Sequence, residues 1–158
     1  MRLGHVNLYV RNAEQSRDWY ARVLGLHTYH YRPGRAAFMS ADLDMSHEVA
    51  LMQVGPDAAG PMRGQVGLNH MAWMVDSLED LAVAYQRLKD NDVRIDAIVD
   101  HGISLGIYFR DPDGNGLEVS YEQPRAEWPR QEQVFSEDVV NRGLFPGPWD
   151  SDPAVVRR

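Results

Sequence analysis

Two histidines of this 158-residue chain stand 65 residues apart in matching sequence, and neutral imidazole is a common metal ligand. Shifting the sequence by 65 residues aligns Leu3-Gly4-His5-Val6 with Leu68-Asn69-His70-Met71. The same shift places Gln53 on Glu118, so each half offers one histidine and one oxygen-bearing side chain. Because the chain has no cysteine, any metal must be held by nitrogen and oxygen atoms.

The matching sequence extends to the elements that would position these side chains, which indicates an internal repeat. Asn12 aligns with Ser77, and both residue types cap helix N-termini with a side-chain oxygen. Before each cap lies an alternating, strand-like segment, and after it an apolar stripe of helical spacing. Further strands are predicted at 36–40, 47–54, 103–109 and 116–121. Each half is therefore predicted to be a βαβββ module, and the fold class to be α+β.

The modules are predicted to span residues 1–55 and 67–121 of a single domain over 1–121. The segment between them is rich in proline and glycine and is typical of a linker. After the second module, prolines preclude long regular elements in residues 122–158. Four large aromatic residues in this tail nevertheless need burial: Trp128, Phe135, Phe145 and Trp149. We expect this tail to pack on the body or on a neighbouring subunit.

Charge and hydropathy limit the classes of partner that the chain could bind. The formal net charge is −7, and without a basic cluster the chain has no electrostatic footprint for a phosphate backbone. No apolar run approaches the roughly 18 residues needed to span a bilayer, and the N-terminus lacks a secretory pattern. We therefore expect a cytoplasmic protein with no nucleic-acid or membrane partner, and the aromatic tail and acidic charge are compatible with a homo-oligomer.

Strand alternation places Glu118 among small residues on a polar face, which suggests a cavity. Two imidazoles and one carboxylate can form the facial triad that leaves metal positions open to substrate and dioxygen. Taken singly, these residues also have ordinary interpretations. A strand histidine is more often structural, Tyr108 could be a half-buried sheet aromatic, and His47 could lie at the surface where a strand begins.

The stretch from His101 to Glu118 resembles the signature of ring-cleaving extradiol dioxygenases. It reads His, five residues, aliphatic-Tyr, two residues, Asp-Pro-x-Gly, three residues, Glu, and every fixed position is met. The paired His5 and His70 in βαβββ modules are similar to the wider vicinal oxygen chelate superfamily, which includes glyoxalases and drug-resistance proteins. The resemblance implies an open barrel-like sheet around a metal site.

This resemblance also implies roles for particular residues. His5, His70 and Glu118 would bind Fe(II), with Mn(II) as the other candidate. His47 would be the acid–base catalyst, while Tyr108 and His101 would contact the substrate and take part in catalysis. The substrates would be a small catechol-like aromatic diol and O2, and both oxygen atoms would enter the ring-opened product.

Two other functions remain open from the residues. A glyoxalase- or epimerase-like metal enzyme would transfer protons without oxygen, and Gln53 stands where such an enzyme could have a fourth ligand. A non-catalytic protein could instead bind an aromatic compound between the modules, although binding alone does not require this set of histidines with Tyr108 and Glu118.

Overall fold

The computed structural model describes residues 3–128 and 145–156, and the chain divides into two compact units. The first comprises Met1–Gln65 with Asp111–Asn115, and the second comprises Val66–Arg110 with Gly116–Arg158. Each unit contains, in chain order, a strand, a helix and three strands. The predicted α+β fold of two tandem βαβββ modules is confirmed, and each module has its own open four-stranded sheet.

The elements of the first unit are β1 (Val6–Val10), α1 (Ala13–Leu24), β2 (His27–Arg32), β3 (Ala36–Ser40) and β4 (Val49–Gln53). Its strands lie in the order β1-β4-β3-β2, with β1 parallel to β4 and the other pairs antiparallel. Alternation along β1 buries Leu8 and Val10 and leaves Tyr9 74% exposed. Helix α1 packs on β3 and β4 and buries Tyr20 completely.

The elements of the second unit are β5 (Met71–Val75), α2 (Leu78–Asp90), β6 (Ile95–Asp100), β7 (Ser104–Arg110) and β8 (Gly116–Glu122). The unit repeats the arrangement of the first in the order β5-β8-β7-β6, again with the first pair parallel. The predicted apolar face of β7 is confirmed, since Leu105, Ile107 and Phe109 are all buried. A short 3₁₀ helix (Arg125–Glu127) follows the last strand.

Both helices begin at the predicted caps. Asn12 Oδ1 accepts hydrogen bonds from the backbone N–H groups of Glu14 and Gln15, each at 3.0 Å. Ser77 Oγ accepts one from Asp80 N at 3.1 Å. These bonds satisfy donors that the first turn of a helix otherwise leaves unpaired. In the part of the chain that the structure describes, neither helix is long and apolar enough to cross a membrane.

Residues 145–156 of the tail pack within the second unit. The Trp149 ring is buried and meets the Tyr85 ring edge-on at 6.1 Å. Asp152 accepts hydrogen bonds from Tyr85 Oη at 2.8 Å and Lys89 Nζ at 3.2 Å. Val155 forms an isolated parallel bridge with Ile98 of β6. Phe135, which the sequence suggested needs burial, lies outside the described residues.

The turn Asp111–Asn115 connects β7 to β8 but belongs to the first unit. The buried Tyr20 hydroxyl donates a hydrogen bond to Asp111 Oδ2 at 3.0 Å. Arg11 Nη1 donates to Asp113 Oδ1 at 2.9 Å. Burial raises the pKa of Asp111 above its ordinary value, although hydrogen bonds from Asn115 and Tyr20 act in the opposite direction. The predicted turn is therefore also an anchored part of the first unit.

Candidate metal centre

His70 and Glu118 form the centre of the candidate site, within the second unit. His70 immediately precedes β5, and Glu118 lies in β8, the parallel partner of β5. His70 Nε2 lies 3.0 Å from Glu118 Oε2. The imidazole is 35% exposed and the carboxylate 10% exposed, so the carboxylate is the more deeply buried member of the pair.

Asn69 fixes which nitrogen of His70 faces the carboxylate. Its amide oxygen lies 2.7 Å from His70 Nδ1, and because that oxygen can accept but not donate, Nδ1 carries a proton. In the neutral imidazole, Nε2 then presents a lone pair to Glu118. Two lone pairs facing each other at 3.0 Å require a proton or a cation between them. This donor pair fits a divalent metal ion, since adjacent ligands of an octahedral ion with bonds of roughly 2.1 Å are about 3 Å apart.

Two glycines leave the space that these side chains occupy. A Cβ added at Gly106 of β7 would collide with Glu118 Oε1 and lie 3.0 Å from Tyr108 Oη. A Cβ at Gly116 would collide with the carbonyl oxygen of Asn69 and lie 3.1 Å from His70 Cβ. Any side chain at either position would displace a residue of the site.

Tyr108 and His101 extend the site along β7. Tyr108 Oη lies 3.0 Å from His101 Nε2 and is also hydrogen-bonded to Glu118. Burial, together with the Glu118 carboxylate, raises the pKa of Tyr108 above its ordinary value, which keeps the phenol protonated at neutral pH. The ring meets His70 edge-on, with 5.3 Å between centroids. Tyr108 can therefore donate a hydrogen bond beside the imidazole–carboxylate pair.

The first unit brings together His5 and His47. Their ring centroids are 4.5 Å apart, and the Phe38 ring meets His47 edge-on at 5.3 Å. Ser46 Oγ lies 3.0 Å from His47 Nδ1. His5 immediately precedes β1, as His70 precedes β5, so the two histidines occupy equivalent positions in their modules. Both were expected inside the strands, but each lies one residue before the hydrogen-bonded ladder begins.

The alignment of Gln53 with Glu118 is wrong. Strands β1 and β5 are 65 residues apart, but the ladders place Asn7 opposite Ala50 and Ala72 opposite Glu118. The equivalent of Glu118 is therefore Ala50, because the second module has one more residue in its helix and two more in the connection to the following strand. Gln53 Oε1 accepts a hydrogen bond from Ala13 N at 3.0 Å, at the start of α1. As a fourth ligand, Gln53 stays a prediction without support from the repeat.

Across residues 3–128 and 145–156, no three His, Asp or Glu side chains are grouped closely enough to hold a metal ion. The described geometry thus gives a two-residue centre, His70 with Glu118, and the ligand set that adds His5 stays a prediction. Asn69 was not among the predicted site residues. Its position next to a candidate ligand histidine was the available signal, since metal-binding histidines are commonly oriented by a hydrogen bond to the other ring nitrogen.

Comparison with known proteins identifies relatives in sequence. Residues 2–119 match the model of the glyoxalase/bleomycin resistance protein/dioxygenase superfamily. The chain is 36% identical over 121 residues to biphenyl-2,3-diol 1,2-dioxygenase 3 of Rhodococcus globerulus, covering 75% of this chain and 62% of that protein. It is 30% identical over 132 residues to catechol-2,3-dioxygenase of Bacillus subtilis, covering 83% of this chain and 45% of that protein. The chain thus spans about half to three fifths of these curated relatives' length.

Solved structures agree with the fold. A glyoxylase/bleomycin resistance protein/dioxygenase domain from Frankia sp. EAN1pec aligns with a TM-score of 0.65. The alignment covers 78% of this chain and 98% of that one at 23% sequence identity, a similarity that concerns the fold alone.

Proposed function

Because the chain belongs to the glyoxalase/bleomycin resistance protein/dioxygenase superfamily, we propose that it is an extradiol dioxygenase that cleaves the ring of a catechol-like diol. The observation that carries the proposal is the oriented imidazole–carboxylate pair of His70 and Glu118, with the Tyr108 phenol beside it. Relatives named as diol and catechol dioxygenases support the same reaction class.

In this proposal His5, His70 and Glu118 hold Fe(II). The bound ion would supply the redox chemistry with dioxygen and the charge that favours a deprotonated diol. In the neutral imidazole of His70, the hydrogen bond from Nδ1 to Asn69 leaves the lone pair on Nε2, the nitrogen that would bind the metal. Fe(II) is proposed over Mn(II) as the resident ion because it transfers an electron to oxygen more readily.

Protein side chains supply the proton transfers. Because its pKa is raised, Tyr108 stays a neutral phenol. It donates a hydrogen bond to a substrate oxygen and does not compete, as a phenolate, with the diol for the metal. His101 accepts or donates at Tyr108 Oη, which links the phenol to a second titratable group. His47 is proposed to act as the acid–base catalyst, because imidazole changes its protonation state near neutral pH.

The glyoxalase- or epimerase-like alternative is less well supported. The four-ligand site considered for it requires a donor in the first module equivalent to Glu118, and the side chain at that ladder position, Ala50, has no donor atom. Gln53, the other candidate, is bonded to the first turn of α1. A three-ligand site with open positions suits a diol and dioxygen better.

The test is reconstitution with Fe(II) under anaerobic conditions, followed by a panel of catechols and then oxygen. We expect oxygen uptake and a coloured ring-opened product from at least one diol. Glu118→Gln should abolish turnover and lower iron retention, whereas Glu122→Gln, a matched change at an exposed position of the same strand, should preserve both. Iron retention without turnover on any diol would refute the proposed reaction.

A further inference from the structure

Glu48 forms hydrogen bonds within the first unit through both its backbone and its side chain. Its backbone N–H donates to Met39 O at 2.9 Å, and its carbonyl oxygen accepts from Val6 N at 2.9 Å. Oε2 of its carboxylate accepts three further hydrogen bonds, from Ser40 Oγ at 2.9 Å, Ala41 N at 2.8 Å and Asp42 N at 3.3 Å.

These bonds lie next to both histidines of the first unit. Glu48 directly follows His47, and the amide that its carbonyl oxygen accepts belongs to Val6, which directly follows His5. The backbones that carry the two imidazoles are thus joined at one residue. Their ring centroids lie 4.5 Å apart, and the Phe38 ring packs edge-on against His47.

The carboxylate holds the loop that leads to His47. Residues 41–48 connect β3 to β4, and Glu48 Oε2 binds the beginning of this loop from its end. Hydrogen bonds to an ionised acceptor are about twice as strong as neutral ones, so three of them restrain the loop strongly. Ser40, which donates one, is buried at the end of β3 and gives the carboxylate a rigid attachment.

We propose that Glu48 is a positioning residue for the His5–His47 pair, fixing through the 41–48 loop and the Val6 amide the distance between the two imidazoles. The consequence for catalysis rests on the proposed function, in which His5 binds the metal and His47 transfers protons. Displacing a reacting group by about 1 Å can cost on the order of 100-fold in rate, so restraint of this pair matters for turnover.

The test compares Glu48→Ala and Glu48→Gln with Asp44→Ala, which removes a carboxylate from the same loop and leaves the three bonds to Glu48 Oε2 in place. The first measurement uses the metal-free protein and records the nuclear Overhauser effect between the ring protons of His5 and His47. The second measures kcat and KM for a catechol with the iron-loaded protein.

We expect Glu48→Ala to weaken the ring–ring signal at least threefold and to lower kcat at least tenfold, with KM changed less than twofold. Glu48→Gln, which keeps an acceptor oxygen, should fall between Glu48→Ala and wild type, and Asp44→Ala should match wild type. If Glu48→Ala fails to fold, as judged by circular dichroism, the comparison of Glu48→Gln with Asp44→Ala decides the question.

An unchanged ring–ring signal in the folded Glu48 variants would overturn the inference whatever the reaction. Equal losses in Asp44→Ala would also overturn it, because the effect would then follow loop charge. If wild type cleaves no diol while the ring–ring signal still depends on Glu48, the positioning role stands and the proposed function fails.

Discussion

Ala50 occupies, in the first sheet, the ladder position that Glu118 occupies in the second. A methyl group thus stands where the other module places a carboxylate, and the two similar modules differ in what they can bind. The first module holds the His5–His47 pair, and the second holds an oriented imidazole–carboxylate pair. Under the proposed function, this difference suits a metal with three protein ligands and open coordination positions.

From this relationship follows a prediction for Gln53. Gln53→Ala should leave iron retention unchanged and lower the free energy of unfolding by about 1 kcal/mol, because Ala13 N loses its acceptor at the start of α1. Iron content after gel filtration and urea denaturation measure the two effects. Loss of iron in this variant, with the fold intact, would instead indicate a fourth ligand and favour the isomerase-type alternative.

Gly106 should be intolerant of any side chain. In Gly106→Ala the new methyl group would collide with Glu118 Oε1 and crowd Tyr108 Oη, so both must shift. We expect iron retention to fall and turnover to drop by roughly 100-fold, on the scale of a 1 Å displacement. The matched control is Gly4→Ala, whose added methyl group meets nothing within 4 Å. Equal activity in the two variants would contradict the close packing around Glu118.

The buried bond between Tyr20 and Asp111 should contribute measurably to stability. Tyr20→Phe removes a donor from a buried carboxylate and should lower the free energy of unfolding by about 1–3 kcal/mol. Tyr9→Phe, at a site 74% exposed, should change it by less than about 0.5 kcal/mol. Chemical denaturation of the metal-free proteins separates the two. A Tyr20 variant as stable as the Tyr9 variant would show that the bond contributes nothing net.

Asp152 should make the free energy of unfolding depend on pH. Burial alone would raise its pKa, but hydrogen bonds from Ala154 N, Tyr85 and Lys89 outweigh burial and lower it below the ordinary value. A lowered folded-state pKa gives stability that is present above the unfolded-state pKa, about 3.9, and is lost as the pH falls through the folded-state value. Asp152→Asn should therefore cost more stability at pH 7 than at pH 3, as measured by urea denaturation. An equal cost at both pH values would refute this assignment.

Much of the fold could be predicted because its signals are local. Asn12 and Ser77 cap their helices, and β3 spans the predicted residues, Ala36–Ser40, since capping oxygens and alternating burial are encoded within a few neighbouring residues. The equivalence of Gln53 and Glu118 failed for the opposite reason. Surface loops accept insertions readily, so a constant sequence offset drifts, and the strand ladder alone fixes which residues correspond.

The residues that hold the candidate site residues in position were the least predictable from the sequence. Asn69 acts on His70 through a side-chain amide, and Glu48 acts through a loop that closes on itself. Neither contact leaves a periodic pattern in the sequence, because each depends on side-chain geometry at a strand boundary. In the second unit, by contrast, His101, Tyr108 and Glu118 were predicted as members of one motif and His70 from the internal repeat, and these four side chains lie together there.

The placement of Asp111–Asn115 in the first unit bears on how this repeat can be divided. A fragment ending at Gln65 would bury the Tyr20 hydroxyl without its acceptor and leave Arg11 without the Asp113 carboxylate. The first unit thus takes five of its residues from more than a hundred positions into the chain, and a cut between the two sequence repeats would not yield two self-contained modules.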